Sequence, residues 1–170
     1  MQSKNLFNSI NRVVRKLNPL IIAILRSPLH SMMSKSVLVI TFTGRKSGKQ
    51  YTTPIMYAQD GETVYVFTHG GWWKNLQGGA PVSLRLRGED RNGFALAVSD
   101  DKQKIADGLG LFISRHPINK GVYEVTLDEN GKPKAEDLLR AAQTVIMIQV
   151  QIEEIEYAPC ASPAIDIARK

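Results

Sequence analysis

The chain reads as an α+β protein, an antiparallel β-barrel with helices at its ends. Two observations predict this class. Five short apolar or β-branched runs follow one another at hairpin spacing between residues 37 and 98, and a sixth lies near the C-terminus. Helical apolar periodicity marks the segment before the first run and two segments between the fifth and sixth. At 170 residues one domain is expected, 1–170. Within it we place a helical, basic, apolar segment over 1–35, a barrel with inserted helices over 36–153 and a tail over 154–170.

In order, Leu6, Ile10, Val13, Val14, Leu17 and Ile21 recur at three- and four-residue steps. Asn18-Pro19 and Ser27-Pro28 each read as an N-cap with proline at the first helical position. This basic amphipathic segment either covers one end of the sheet or, over residues 1–26, lies on an anionic membrane or lids a cleft. Strands are expected at Val37–Thr43, Tyr51–Ala58, Thr63–Thr68, Val82–Leu86 and Gly93–Val98. Asp60-Gly61 and Gly88-Glu89-Asp90-Arg91-Asn92 supply turn chemistry between them. Ser99-Asp100-Asp101 caps a helix running to about Arg115, which His116-Pro117 ends. A further helix is expected over Lys134–Gln143, and a final strand over Val145–Ile152.

Charge is unevenly spread. Residues 1–50 hold nine Lys or Arg and no acid. The other 120 residues hold the remaining 13 cations against all 16 acids, so the net +6 arises in the first part alone. Such asymmetry points to an anionic partner: nucleic acid, membrane surface or cofactor. Nucleic acid is not expected, because the cations split between an N-terminal helix and one hairpin, with no recognition helix or aromatic RNA-binding signature.

The hairpin is Gly44-Arg45-Lys46-Ser47-Gly48-Lys49, set between two β-branched strands. Glycines let a turn take positive φ and let amides converge, while Arg45, Lys46 and Lys49 set positive charge on one rim. It reads either as a seat for a phosphate or carboxylate tail or as a solubilising turn. It is not a Walker A loop, because Gly44 and Gly48 are one residue too close, Gln50 stands at the magnesium-binding position, and no helix follows.

A second region, His69-Gly70-Gly71-Trp72-Trp73-Lys74-Asn75-Leu76, holds both tryptophans at the start of a short helix. Adjacent helical residues point about 100° apart. One indole is therefore expected to pack inward, leaving the other to seal the barrel or offer a flat face to a ring system. A flat heterocycle with a phosphorylated tail would satisfy both regions together.

These residues resemble the deazaflavin (F420)-dependent nitroreductase and quinone reductase family. The resemblance rests on Thr43-Gly44-Arg45-Lys46-Ser47-Gly48-Lys49, Thr52-Thr53-Pro54, Asp60-Gly61, Gly70-Gly71-Trp72-Trp73-Lys74-Asn75-Leu76 and Pro81-Val82. Ser27-Pro28-Leu29-His30 and Val82-Ser83-Leu84-Arg85-Leu86-Arg87-Gly88 also fit, and the match covers about residues 18–100. It implies a split β-barrel of the FMN-binding-like kind, holding F420 and moving a hydride to a planar acceptor such as a quinone or nitroaromatic. Carried over by position, Arg45, Lys46, Ser47, Gly48 and Lys49, with Thr53 and Pro54, would meet the cofactor's phosphate and acidic tail. His69, Gly70, Gly71, Trp72 and Trp73 would line the ring. Many relatives have arginine at Tyr51 and lysine at His69, so FMN, a porphyrin or a fatty-acyl ligand carried at the membrane surface stays as the alternative.

No nucleophile is needed for such chemistry, and Tyr57, Tyr65 or Tyr123 could donate a proton. A metal is not expected, since His30, His69 and His116 lie far apart with no ligand spacing. Nor is there a Gly-x-Ser-x-Gly elbow. The lone Cys160 and the lack of an apolar run approaching roughly 20 residues suggest a cytoplasmic protein, peripheral to the membrane at most. No signal peptide is expected, and a homodimer stays open.

Overall fold

The computed structural model describes residues 18–153; the periodic run before residue 18, the tail and Cys160 lie outside the described residues. Residues 18–26 form a helix, α1, that includes Asn18 itself, so Asn18 is not the cap the sequence suggested. Ser27 does cap the following 3₁₀ turn Pro28–Met32, its hydroxyl accepting from the Leu29 amide at 3.1 Å.

Six strands follow: β1 Val37–Thr43, β2 Gln50–Asp60, β3 Thr63–Thr68, β4 Ala80–Leu86, β5 Glu89–Val98 and β6 Ile146–Ile152. They close into an antiparallel barrel in the order β1-β2-β3-β6-β5-β4. The split β-barrel of α+β class expected from sequence is thus the fold observed. Helices α2 (Lys102–Arg115) and α3 (Ala135–Ala141) lie between β5 and β6, as expected. The sequence misplaces one turn. Residues 89–92 belong to β5, and the reversal is the dipeptide Arg87-Gly88, with φ of 51° and 87°. Two consecutive positive φ values are the signature of the tight hairpin turn whose twist matches paired strands.

Period-two alternation sorts side chains between two cores. Leu38, Ile40 and Phe42, with Val64, Val66, Leu84, Ile148 and Val150, fill the barrel. On the other face, Ala58, Phe67 and Met147 meet Ile105, Leu109, Phe112 and Ile113 of α2. The spacing of those α2 residues is a helical stripe, so the helix covers the β2-β3-β6 side. Asp101 caps α2, accepting from the Lys104 amide at 2.9 Å. Burying each such Leu or Ile is worth about 1.5–3 kcal/mol. On the β1-β4-β5 side the outward residues are Thr41, Ser83, Arg85 and Asn92, and neither α2 nor α3 packs there.

β2 pairs with all of β1 but with β3 only from Tyr57 to Asp60. The upper part of β2, Gln50–Met56, therefore has no strand partner on that side among the described residues. It runs directly on from the cationic hairpin, and at its far end the Asn119 carboxamide reaches Met56 Sδ at 3.5 Å.

The loop between α2 and α3 is fixed by Asp137, a buried carboxylate bonded by the Thr126 hydroxyl and amide and paired with Arg140 at 2.7 Å. The Thr126 bonds, then the Arg140 charge, hold its pKa down to about 2 from 3.8. A depressed carboxylate stabilises the fold above its unfolded pKa, and that contribution is lost as pH falls toward the folded one. Acid unfolding should therefore steepen between about pH 4 and pH 2 and lose that component in Asp137→Asn, followed by circular dichroism.

Candidate functional site

The hairpin and the tryptophan turn, 30 residues apart in sequence, form one rim. The turn is a 3₁₀ helix, Gly71–Leu76. Asn75 joins the two: its Oδ1 accepts from the Arg45 amide at 3.1 Å, and its Nδ2 donates to the Trp72 carbonyl at 2.9 Å. The Arg45 guanidinium donates from Nη1 to the Gln77 carbonyl at 3.1 Å. Arg45 is thus committed, at least in part, to holding the turn.

Within the hairpin the Gly48 amide donates to the Gly44 carbonyl and the Gly44 amide to the Lys49 carbonyl, both at 2.8 Å. Gly48 has φ of 65°, the left-handed region that favours glycine. Gly44 is required for a different reason: a Cβ there would lie 2.6 Å from both Ser47 Oγ and a Tyr51 ring carbon. Ser47 Oγ in turn lies 3.2 Å from the Tyr51 hydroxyl and accepts from the Lys49 amide. Lys46 and Lys49 are exposed and enter no ion pair among the described residues. They leave an uncompensated positive rim.

Beneath the rim runs an aromatic stack. Phe42 stacks on Trp72 at 5.1 Å between centroids and on Tyr51 at 5.9 Å. Such pairs are worth about 0.5–1.5 kcal/mol beyond burial. Tyr51 extends this stack. Both indoles pack against the barrel core and both are half-buried, so the sequence argument that one alone packs inward does not hold. A 3₁₀ turn across the barrel mouth sets both large rings on its rim. Thr53 and Pro54 are half-buried on β2, paired with Ile40 and Val39.

His69 follows β3, its ring stacked on Tyr123 at 6.1 Å. Burial lowers its pKa below 6.5, so the imidazole is neutral at pH 7. Tyr123 packs edge-on against Phe67 and Phe112, and burial pushes its pKa up to about 12. Of the three tyrosines named from sequence, Tyr57 is occupied: its hydroxyl donates to the Ser34 carbonyl at 2.9 Å and accepts from Arg87 Nε at 3.2 Å. Tyr65 packs against the core beneath α2. Tyr123 stands beside the His69 ring. His116, which ends α2, bonds through Nε2 to the Tyr57 carbonyl at 2.7 Å and holds the end of α2 against β2. Sequence reasoning missed Asn75 as a linker, because an exposed-looking asparagine in a turn carries no signal of a partner 30 residues away.

Residues 27–108, just under half of the chain, match the family model described as F420H(2)-dependent quinone reductase. The resemblance read from the sequence is therefore borne out over that stretch. No curated protein is a significant match. Among solved structures, the chain is similar to an F420-H2 dependent reductase at 16% identity, covering 68% of this chain and 94% of that one, with a TM-score of 0.48. It is similar to an FAD and heme binding protein from Mycobacterium smegmatis at 15% identity, covering 75% and 67%, with a TM-score of 0.44. A heme storage protein from Vibrio cholerae gives 12% identity, 76% and 91% coverage and a TM-score of 0.45. Likenesses this distant carry no argument about the ligand.

The clamp predicts different outcomes for neighbouring cations. Arg45→Ala and Asn75→Ala should each lower stability and should be non-additive, with a coupling of about 0.5–3 kcal/mol in a denaturant double-mutant cycle. Lys46→Ala should stay within about 0.5 kcal/mol of the parent protein, as an exposed turn cation does.

Proposed function

We propose that this chain, which carries the F420H(2)-dependent quinone reductase pattern over residues 27–108, is an F420-dependent oxidoreductase acting on a planar acceptor such as a quinone or nitroaromatic. One observation carries the reading: a single built rim joins unpaired cations to an aromatic turn. One ligand with an anionic tail and a flat ring needs both.

The residues present fit that cofactor. Lys46 and Lys49 hold its phosphate and acidic tail, with Ser47 and the Gly48 turn shaping the seat, while Arg45 positions the hairpin. Thr53, Pro54, His69, Gly70, Gly71, Trp72 and Trp73 border the ring, beside the unpaired stretch of β2. When bound, the deazaflavin supplies the hydride. The protein's part is placement, exclusion of water by the indoles, and a neutral wall of His69 and Tyr123. With a pKa near 12, Tyr123 keeps its proton at neutral pH and serves as a hydrogen-bond donor to the acceptor.

Quenching of tryptophan fluorescence by the oxidised cofactor tests binding, and absence of micromolar binding would sink the reading. Lys46→Ala with Lys49→Ala should cost roughly 1.5–3 kcal/mol for each charged hydrogen bond lost. A tail-less ring analogue should be nearly unaffected. Trp73→Ala should weaken both ligands by about 0.5–1.5 kcal/mol. Equal weakening of both ligands by the lysine changes would refute this division of labour.

A second reading, a non-catalytic carrier of FMN, heme or a fatty acid at the membrane surface, is favoured by Tyr51, which gives the rim an aromatic ring in place of a cation. His69→Lys and Tyr51→Arg separate the two: both should tighten F420 binding if the parent site is built for it. Cofactor affinity in the parent protein should also rise as pH falls through the lowered His69 pKa, because a cation appears beside an acidic ligand. His69→Gln should abolish that rise in a fluorescence titration. Membrane contact of the carrier would use residues 1–26 and the exposed Leu20, Leu29 and Met32. Unchanged liposome binding after deletion of residues 1–26 would count against it.

A further inference from the structure

Where β2 and β3 part, the segment after α2 bridges them. The last paired residues are Tyr57 and Val66. Met56 and Phe67, next along the two strands, are left without ladder bonds between them. The bridging segment lands on both. From the 3₁₀ turn Pro117–Gly121, the Asn119 carboxamide reaches Met56, its Nδ2 donating to Sδ at 3.5 Å. Four residues on, Tyr123 packs edge-on against Phe67 and stacks on His69.

The backbone around Asn119 is pinned. Its amide donates to the His116 carbonyl at 3.0 Å, and its carbonyl accepts from the Val122 amide at 2.9 Å. One residue on, the Lys120 carbonyl accepts from the Val125 amide at 2.9 Å. His116 itself is tied to β2 through the Tyr57 carbonyl. The Asn119 side chain is therefore held in place, yet it is poorly satisfied. A carboxamide offers two N–H donors and an acceptor oxygen. Among the described residues this one makes a single hydrogen bond, to a thioether, which is a weak acceptor. The residue is half-buried, so water meets only part of its remaining capacity. A strong donor resting on a weak acceptor gains by exchanging it for an oxygen.

We propose that Asn119 is the residue that holds the oxygen of the acceptor where β2 and β3 part, an inference that rests on reading the chain as a reductase of planar acceptors. Nδ2 leaves Met56 Sδ and donates to a carbonyl oxygen of a quinone, with the Tyr123 hydroxyl as a second donor. A carboxamide suits a quinone in particular. Addition of a hydride from reduced deazaflavin and of a proton turns the quinone into a hydroquinone, and its oxygens change from pure acceptors to hydroxyls. Asn119 meets both states, donating from Nδ2 to the quinone and accepting at Oδ1 from the hydroquinone. An acceptor without such oxygens gains nothing from it.

The probes are 1,4-naphthoquinone, its hydroquinone kept under anaerobic conditions, and naphthalene as the same ring without oxygens. Each is titrated into the full chain, with and without oxidised deazaflavin, and the Asn119 side-chain amide is followed by NMR. The expected result is a saturable shift of that amide with both oxygenated probes and none with naphthalene. Asn119→Leu should weaken both oxygenated probes about fivefold, the value of one hydrogen bond. Asn119→Asp, which at neutral pH accepts but does not donate, should weaken the quinone by as much and leave the hydroquinone within about twofold of the parent. Met56→Leu removes the competing thioether and should leave both at least as tight. A residue that merely braces the segment would not separate quinone from hydroquinone. Equal weakening of the two by Asn119→Asp, parent-like quinone binding in Asn119→Leu, weakening of both by Met56→Leu, or no shift of the Asn119 amide in either arm would each overturn the proposal. The arm without deazaflavin stands by itself, so failure of F420 to bind and failure of Asn119 to hold the acceptor are separate results.

Discussion

The side chain of Asn75 is the joint on which the candidate site depends. A carboxamide has one acceptor end and one donor end, and here each end is used on a different segment: the Arg45 amide on one side, the Trp72 carbonyl on the other. Without that joint the hairpin is one more exposed turn and the indoles are one more plug in a barrel mouth. With it, positive charge and flat aromatic surface are held at a fixed separation. Arg45 reinforces the joint through the Gln77 carbonyl. The most strongly charged loop of the protein thus divides its cations between holding the turn (Arg45) and facing solvent (Lys46 and Lys49).

The barrel presents two unlike outer faces, and the difference originates in the outward half of the strand alternation. Where outward residues are Phe67 and Met147, water must be excluded, and α2 brings Leu109, Phe112 and Ile113 to cover them. Where they are Thr41, Ser83, Arg85 and Asn92, the sheet can stay wet. The covered half carries His69 and Tyr123 at its border, because the segment after α2 folds back over Phe67. The other half carries Arg85, paired with Asp90 across β4 and β5. One barrel thereby separates an apolar, helix-covered face from a polar one.

Electrostatics and packing trade places at two positions. Tyr51 contributes ring stacking on Phe42 where a cation would bring charge, and its hydroxyl supports Ser47 in the hairpin. His69 is held neutral at pH 7 by burial. On the rim, positive charge is therefore carried by Lys46 and Lys49 of the hairpin and Lys74 of the turn, all exposed.

Most of the barrel was written in local sequence. Val37–Thr43 and Thr63–Thr68 are apolar or β-branched almost throughout, and their ends match the observed strands, while Asp101 and Ser27 mark helix starts by side-chain oxygens that reach amides two or three residues on. The cationic hairpin and the tryptophan turn were also visible, since both are contiguous. Glu89–Asn92 misled, because four polar residues read as a loop, whereas pairing with β4 and a two-residue turn at Arg87-Gly88 make them a strand. What the tertiary structure alone decided is which distant residues meet. Asn75 on Arg45 and Tyr123 on His69 are partners because barrel closure and helix packing bring them together. Local propensity acts over a few residues, so it fixes the elements and their caps. Contacts between segments follow from burial of the whole core, and no short stretch of sequence carries that information.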